Sequence, residues 1–275
     1  MKKVHLLPNI ITAFGLSCGL FVIFRLNMTP IGAADQQVLT MAAGILLMAV
    51  FADLLDGAIA RGLKAESRFG GLFDSLADAI TFGVSPTVVV LKTLSIEPGS
   101  KMSFLLTLAA MVYSVSGVLR LVRFSLGIGK LSDEEKEKVN LSTFVGLPIP
   151  AAAAALVSLN LLLIWQKFAW IDDTVHAWIL FSVQIFLGYL MLSRWRFPSA
   201  KTLHIRVASF QTLFISTLGA VLFFYGILYH FPIVFFSITW MYVLGAFLLS
   251  VIRMIAGKRA AGLEDFEPAD EDPLE

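Results

Sequence analysis

The stretch Phe51–Pro86 reads FADLLDGAIARGLKAESRFGGLFDSLADAITFGVSP and sets four aspartates, Asp53, Asp56, Asp74 and Asp78, into an otherwise strongly apolar chain. Asp53 and Asp56 are three residues apart and Asp74 and Asp78 four, so on two helices each pair projects from one face. Gly57 and Ala60 share the Asp53 face with almost no side chain, which lets a second backbone or a ligand come close. Ionised carboxylates gathered at a membrane boundary repel one another and lose hydration, and a bound cation makes such a cluster tolerable. Oxygen ligands without His or Cys favour Mg2+ or Mn2+, with Ca2+ as a further occupant, over Zn2+. Four aspartates suffice for two divalent ions, a device that recurs in displacement at phosphorus. The competing reading, in which the acids only pair with Arg61, Lys64 and Arg68 at a helix end, accounts for one aspartate better than for four at helical spacing.

Outward from this stretch, 275 residues with 57% hydrophobic and 15% charged side chains and a mean hydropathy of +0.82 describe an all-α polytopic membrane protein. A net charge of +1 gives no basis for binding nucleic acid. Apolar runs predict about eight spans, at 10–28, 38–60, 72–94, 104–124, 147–165, 177–192, 208–229 and 233–255. With that count, all but four of the 21 Lys and Arg residues (the exceptions being Arg25, Lys92, Lys101 and Lys167) fall on one side. The excess of positive charge marks that side, with both termini and the aspartates, as cytoplasmic. The membrane domain is expected over residues 1–261. The acids Glu264, Asp265, Glu267, Asp270, Glu271, Asp272 and Glu275 make residues 262–275 a disordered cytoplasmic tail. The charged loop Gly127–Ser142 reads as a solvated helical turn, and the small residues Ala151–Ala155 predict tight packing on a neighbouring helix or a second subunit. Cys18, the single cysteine, reads as a packing residue and excludes an intrachain disulfide. Near the start, Pro8 opens a helix on which Asn9 and Thr12 reach one face, as caps or as contacts.

The pattern Asp53-x2-Asp56-Gly57-x2-Ala60-Arg61-x8-Gly70-x3-Asp74-x3-Asp78 resembles, at every fixed position, the signature of the CDP-alcohol phosphatidyltransferase family. The resemblance implies that Asp53, Asp56 and Asp74 serve the metals and the CDP part of a lipid substrate, and that Asp78 is the general base with a possible metal contact of its own. It places Asn9, Asp56, Gly57, Ala60, Arg61 and Gly70 around the CDP-lipid. For Arg61 a phosphate clamp and simple snorkelling to headgroups both stand. Thr81–Pro86, Arg120–Phe124, Phe144–Ala152 and Leu190–Ser199 further resemble the phosphatidylserine synthase branch, which implies CDP-diacylglycerol as donor and L-serine as acceptor. Serine carries a carboxylate and an ammonium group. Arg120 and Arg123 offer cations and Ser85 a hydroxyl to hold it, although both arginines also suit plain inside-positive anchors. Glycerol 3-phosphate, inositol phosphate or an archaeal-type lipid substrate remain alternatives, and a carboxylate-lined cation transporter a distant one. The resemblance further implies a homodimer in the cell (inner) membrane, among membrane lipids, with its site facing the cytoplasm.

Overall fold

The computed structural model describes residues 6–30, 36–63, 67–97, 99–128, 143–165, 171–193, 196–198 and 229–252. Helices dominate: α1 (Leu6–Asn27), α2 (Gln36–Gly62), α3 (Arg68–Asp78), a π-helical turn (Ala79–Val84), α4 (Ser85–Thr93), α5 (Lys101–Ile128), α6 (Ile149–Leu163), α7 (Asp173–Leu192) and α8 (Tyr229–Ile252). One short ladder interrupts the helical pattern, with β1 (Thr143–Val145) antiparallel to β2 (Arg196–Pro198) and Phe144 opposite Phe197.

Among the described residues six helices are long and apolar enough to cross a membrane: 7–27, 36–62, 69–93, 101–125, 173–192 and 229–252. The third of these is composite, since α3, the π turn and α4 run on as one rod. Of the eight expected spans, the fifth is the shorter helix α6, whose 15 residues rise only about 22 Å at ~1.5 Å per residue. The seventh, 208–229, lies outside the described residues except at its end, as do most of the 127–142 loop and the whole acidic tail. Outward faces carry Phe14, Phe21, Phe51, Phe104, Met111 and Leu248 exposed, as surfaces facing lipid do.

Small residues set the helix contacts that matter for the site. On α1, Gly15 meets Ala52 and the Ala49 backbone of α2, and Gly19 is pressed so closely on the π turn that a Cβ there would be 2.8 Å from the Thr81 Cα. On α7, Gly188 faces Ser116 of α5, and close approach of this kind is how helices associate where lipid offers no hydrophobic driving force. The alanine-rich α6 is buried on most sides and accepts α8. The Trp240 indole donates to the Ala155 carbonyl at 3.1 Å, and the Ser158 and Thr239 hydroxyls are 2.8 Å apart. The expected tight packing of Ala151–Ala155 is therefore met within the chain. Cys18 is buried in the larger apolar cluster with Phe82, Tyr113, Ile149, Leu156 and Leu187.

Candidate active site

Helices α1, α2 and α3 meet in a cleft of about 210 Å3, part of it open to the outside. It is lined by Thr12, Gly15, Leu16, Ala49, Asp53, Asp56, Asp74, Ala77, Asp78, Thr81 and Phe82, so all four signature aspartates open into one space. One carboxylate oxygen each from Asp53, Asp56 and Asp74 lie within 4.8 Å of one another. Asp78 shares the cleft but stands outside this trio. Three converging oxygens, with neither His nor Cys among them, are a donor set for a hard divalent cation.

Local sequence explains how each acid arrives. Ser67, in an extended conformation, accepts the Gly70 N–H at 3.0 Å and starts α3 at a fixed rotation. Asp74 and Asp78, one turn apart, then share the inner face, while Leu72 and Leu76 remain exposed on the outside. On α2, Asp56 is only 5% exposed. Its Oδ2 accepts the Thr12 hydroxyl at 2.6 Å, whereas the Pro8 carbonyl lies 3.1 Å from the same Oγ1. A hydroxyl has one proton, and the shorter, charge-assisted bond to the carboxylate takes it. Thr12 thus fixes the Asp56 rotamer from a neighbouring helix.

The remaining predicted residues divide. Arg61 folds its guanidinium over Gly57, with Nη1 3.3 Å from where a Cβ would stand, and remains within electrostatic reach of Asp53 and Asp56. Asn9 flanks the first turn of α3, its Oδ1 3.1 Å from the Cβ position of Gly70, so these two residues border the site without lining the cleft. Ala60 lies one turn beyond Gly57 and is half-buried. Arg120, only 8% exposed, reaches electrostatically to Asp78, and its Nε finds no hydrogen-bond partner among the described residues. Arg123 instead closes the end of α7, donating to the carbonyls of Leu192 at 2.9 Å, Ser193 at 3.4 Å and Met191 at 3.5 Å. Such carbonyls have no partner inside the helix, and a cation suits the negative end of its dipole. Ser85 is fully buried and turned to α1, its hydroxyl donating to the Gly19 carbonyl at 3.4 Å. Thr81, Phe82, Ala49 and Leu16 complete the cleft without having been singled out as site residues by their spacing.

Residues 5–190 match the family model described as CDP-alcohol phosphatidyltransferase. The chain belongs to the CDP-alcohol phosphatidyltransferase family. This membership accounts for the four acids in one cleft, and members of the family generally depend on divalent metal. Among curated relatives of this phosphatidyltransferase, the CDP-diacylglycerol–serine O-phosphatidyltransferase of Bacillus subtilis (strain 168) is 33% identical over 72% of the chain and 93% of its own length. The protein of the same name from Helicobacter pylori (strain ATCC 700392 / 26695) is 30% identical over 73% of the chain and 75% of its own length. A third of that name, from Mycobacterium leprae (strain TN), is 34% identical over 70% of the chain and 58% of its own length. The matched family region ends within α7, so α8 lies beyond it.

Proposed function

We propose that this phosphatidyltransferase transfers a phosphatidyl group from CDP-diacylglycerol to the hydroxyl of L-serine, giving phosphatidylserine and CMP. The observation that carries the choice of serine is the shared name of the three relatives. The buried Arg120, within charge reach of Asp78 and with an Nε that has no partner among the described residues, suits an acceptor that brings an anionic group such as the serine carboxylate.

In this reading the donor lipid approaches between α2 and α3, with its acyl chains along the exposed Leu54, Leu55, Leu72 and Leu76 and its diphosphate at the acids. Asp53, Asp56 and Asp74 would hold Mg2+ or Mn2+, two ions if Asp78 also contributes, and such an ion would supply positive charge to the diphosphate and to departing CMP. Gly57 and Ala60 leave room for the cytidine, and Asn9, Gly70 and Arg61 flank the nucleotide side. Asp78 accepts the proton of the serine hydroxyl as that oxygen forms its bond to the lipid-side phosphorus. The phosphoanhydride bond breaks in the same displacement, and its electron pair leaves with CMP. Arg123 holds α7 against α5 and so keeps the Arg120 region in register.

The test is a parallel assay of the purified chain with CDP-diacylglycerol and Mg2+ or Mn2+, offered L-serine, glycerol 3-phosphate, inositol phosphate or inositol. Phosphatidylserine and CMP are expected with serine. Turnover with a phosphorylated acceptor and none with serine would overturn the acceptor.

The proposal extends to eight spans, both termini and the cleft at the cytoplasmic face of the inner membrane, and a homodimer. Lys2→Cys and Glu271→Cys, each in a Cys18→Ser background, are expected to resist an impermeant thiol reagent applied to intact cells. Lys101→Cys and Lys167→Cys should react. Labelling of position 271 from outside would reverse the orientation.

A further inference from the structure

Directly after Asp78 the chain leaves α-helical geometry for the six-residue π turn Ala79–Val84, in which the Ser85 N–H reaches back to the Ile80 carbonyl. A π turn is an inferior way to pair backbone groups and recurs mainly at functional sites, so something outside the helix must hold it. Here it is gripped from two sides. From α5, the Tyr113 hydroxyl donates to the Phe82 carbonyl at 3.3 Å and the Ser114 hydroxyl to the Gly83 carbonyl at 2.8 Å. From α1, Gly19 gives the Thr81 backbone its close approach, and the Thr81 hydroxyl donates to the Gly15 carbonyl at 3.5 Å. Phe82 and Gly83 are buried, and Pro86, four residues after Phe82, has no N–H for its carbonyl, so the Tyr113 hydroxyl gives that carbonyl a partner the α-helical pattern cannot, while Ser114 adds a bond at Gly83. Tyr113 is completely buried among apolar residues, where Phe would fill the space equally well; its hydroxyl makes sense only against the π turn.

We propose that Tyr113 and Ser114 are positioning residues that lock the π turn and thereby aim Asp78 into the cleft. The extra residue in the turn offsets the helix before it from the helix after it by about 100° of rotation. Helix α4 is fixed by the buried Ser85, Thr87, Val89, Val90 and Thr93, so a return of the turn to α-helical geometry rotates α3 instead. Asp78, adjacent to the turn, moves most directly, and Asp74 is one turn further away. The inference rests on the reading of Asp78 as the base.

The test compares kcat and KM of Tyr113→Phe, Ser114→Ala, Asp78→Asn and the double variant Asp78→Asn/Ser114→Ala, in detergent with CDP-diacylglycerol, serine and saturating Mg2+. Both hydroxyl deletions are expected to lower kcat by about five- to tenfold, the worth of one hydrogen bond, and to leave KM for CDP-diacylglycerol within about twofold. In the Asp78→Asn background Ser114→Ala should cost nothing further, because the residue through which it acts is gone. Normal kcat in Tyr113→Phe and Ser114→Ala, with Asp78→Asn strongly impaired, overturns the lock alone. An undiminished Ser114→Ala effect in the Asp78→Asn background also overturns it, as a general packing effect. Normal turnover of Asp78→Asn overturns the base assignment and the lock with it.

Discussion

Asp53→Asn, Asp56→Asn and Asp74→Asn are each expected to abolish metal-dependent turnover, and chelation of divalent ions should do the same to the unaltered protein. The trio's oxygens lie within 4.8 Å of one another, a separation at which two unit negative charges repel by about 3.5 kcal/mol or more at an effective dielectric of ~20. Among the described residues no basic side chain lines the cleft, and Arg61, folded over Gly57, offsets the repulsion only in part. A divalent ion converts the repulsion into ligation, and removing one carboxylate removes both a ligand and a charge. A second readout separates this from a folding defect. In the chelated state the Asn variants should melt no lower than the parent, since each relieves repulsion. The upward shift in Tm that added Mg2+ or Mn2+ gives the parent by mass action should be lost. Asp56→Asn also weakens the bond from Thr12, so its chelated melting point is expected to be the lowest of the three. Full activity and a normal metal-induced Tm shift in any two variants would sink the metal assignment.

The acids were legible in the chain because helix periodicity and fixed spacing are local properties. Asp53 with Asp56 and Asp74 with Asp78 needed only two helices with inner faces, and hydropathy supplied the helices. The same hydropathy could not separate α6, at 15 residues, from a full span, because an apolar helix buried by its neighbours and one facing lipid have the same composition. What escaped the sequence is contact between residues far apart along it. The Thr12–Asp56 bond joins residues 44 apart, and the bonds from Tyr113 and Ser114 to the π turn span 31. Their acceptors on the π turn are backbone carbonyls, which every residue possesses and no motif records. The segment AITFGV carries no mark of a π turn, since that geometry is set by what grips it. Arginine roles split for the same reason. Arg120 and Arg123 are three apart on α5, yet one is buried within charge reach of Asp78 and the other closes α7, and charge alone left both open as acceptor cations or as inside-positive anchors.

Asp78→Asn should lower turnover with serine by roughly 10²–10⁴, the usual loss when a general acid–base residue is removed, while affinity for CDP-diacylglycerol and for metal changes far less. Asn preserves the volume and one acceptor oxygen of the carboxylate but cannot take a proton from the attacking hydroxyl. The geometry supports a division of labour among the four acids: Asp53, Asp56 and Asp74 form the close trio, whereas Asp78 lines the same cleft from the edge of the π turn, nearest in charge to the buried Arg120. In the proposed reading Asp78 is the acid within charge reach of both Arg120 and the trio, where an incoming serine hydroxyl would lose its proton. The contrast with Asp53→Asn makes the prediction sharp, since that variant should lose metal and nucleotide affinity together with turnover. If Asp78→Asn kept near-normal turnover, or lost nucleotide affinity as severely as Asp53→Asn, Asp78 would belong with the metal ligands and the proton would need another acceptor.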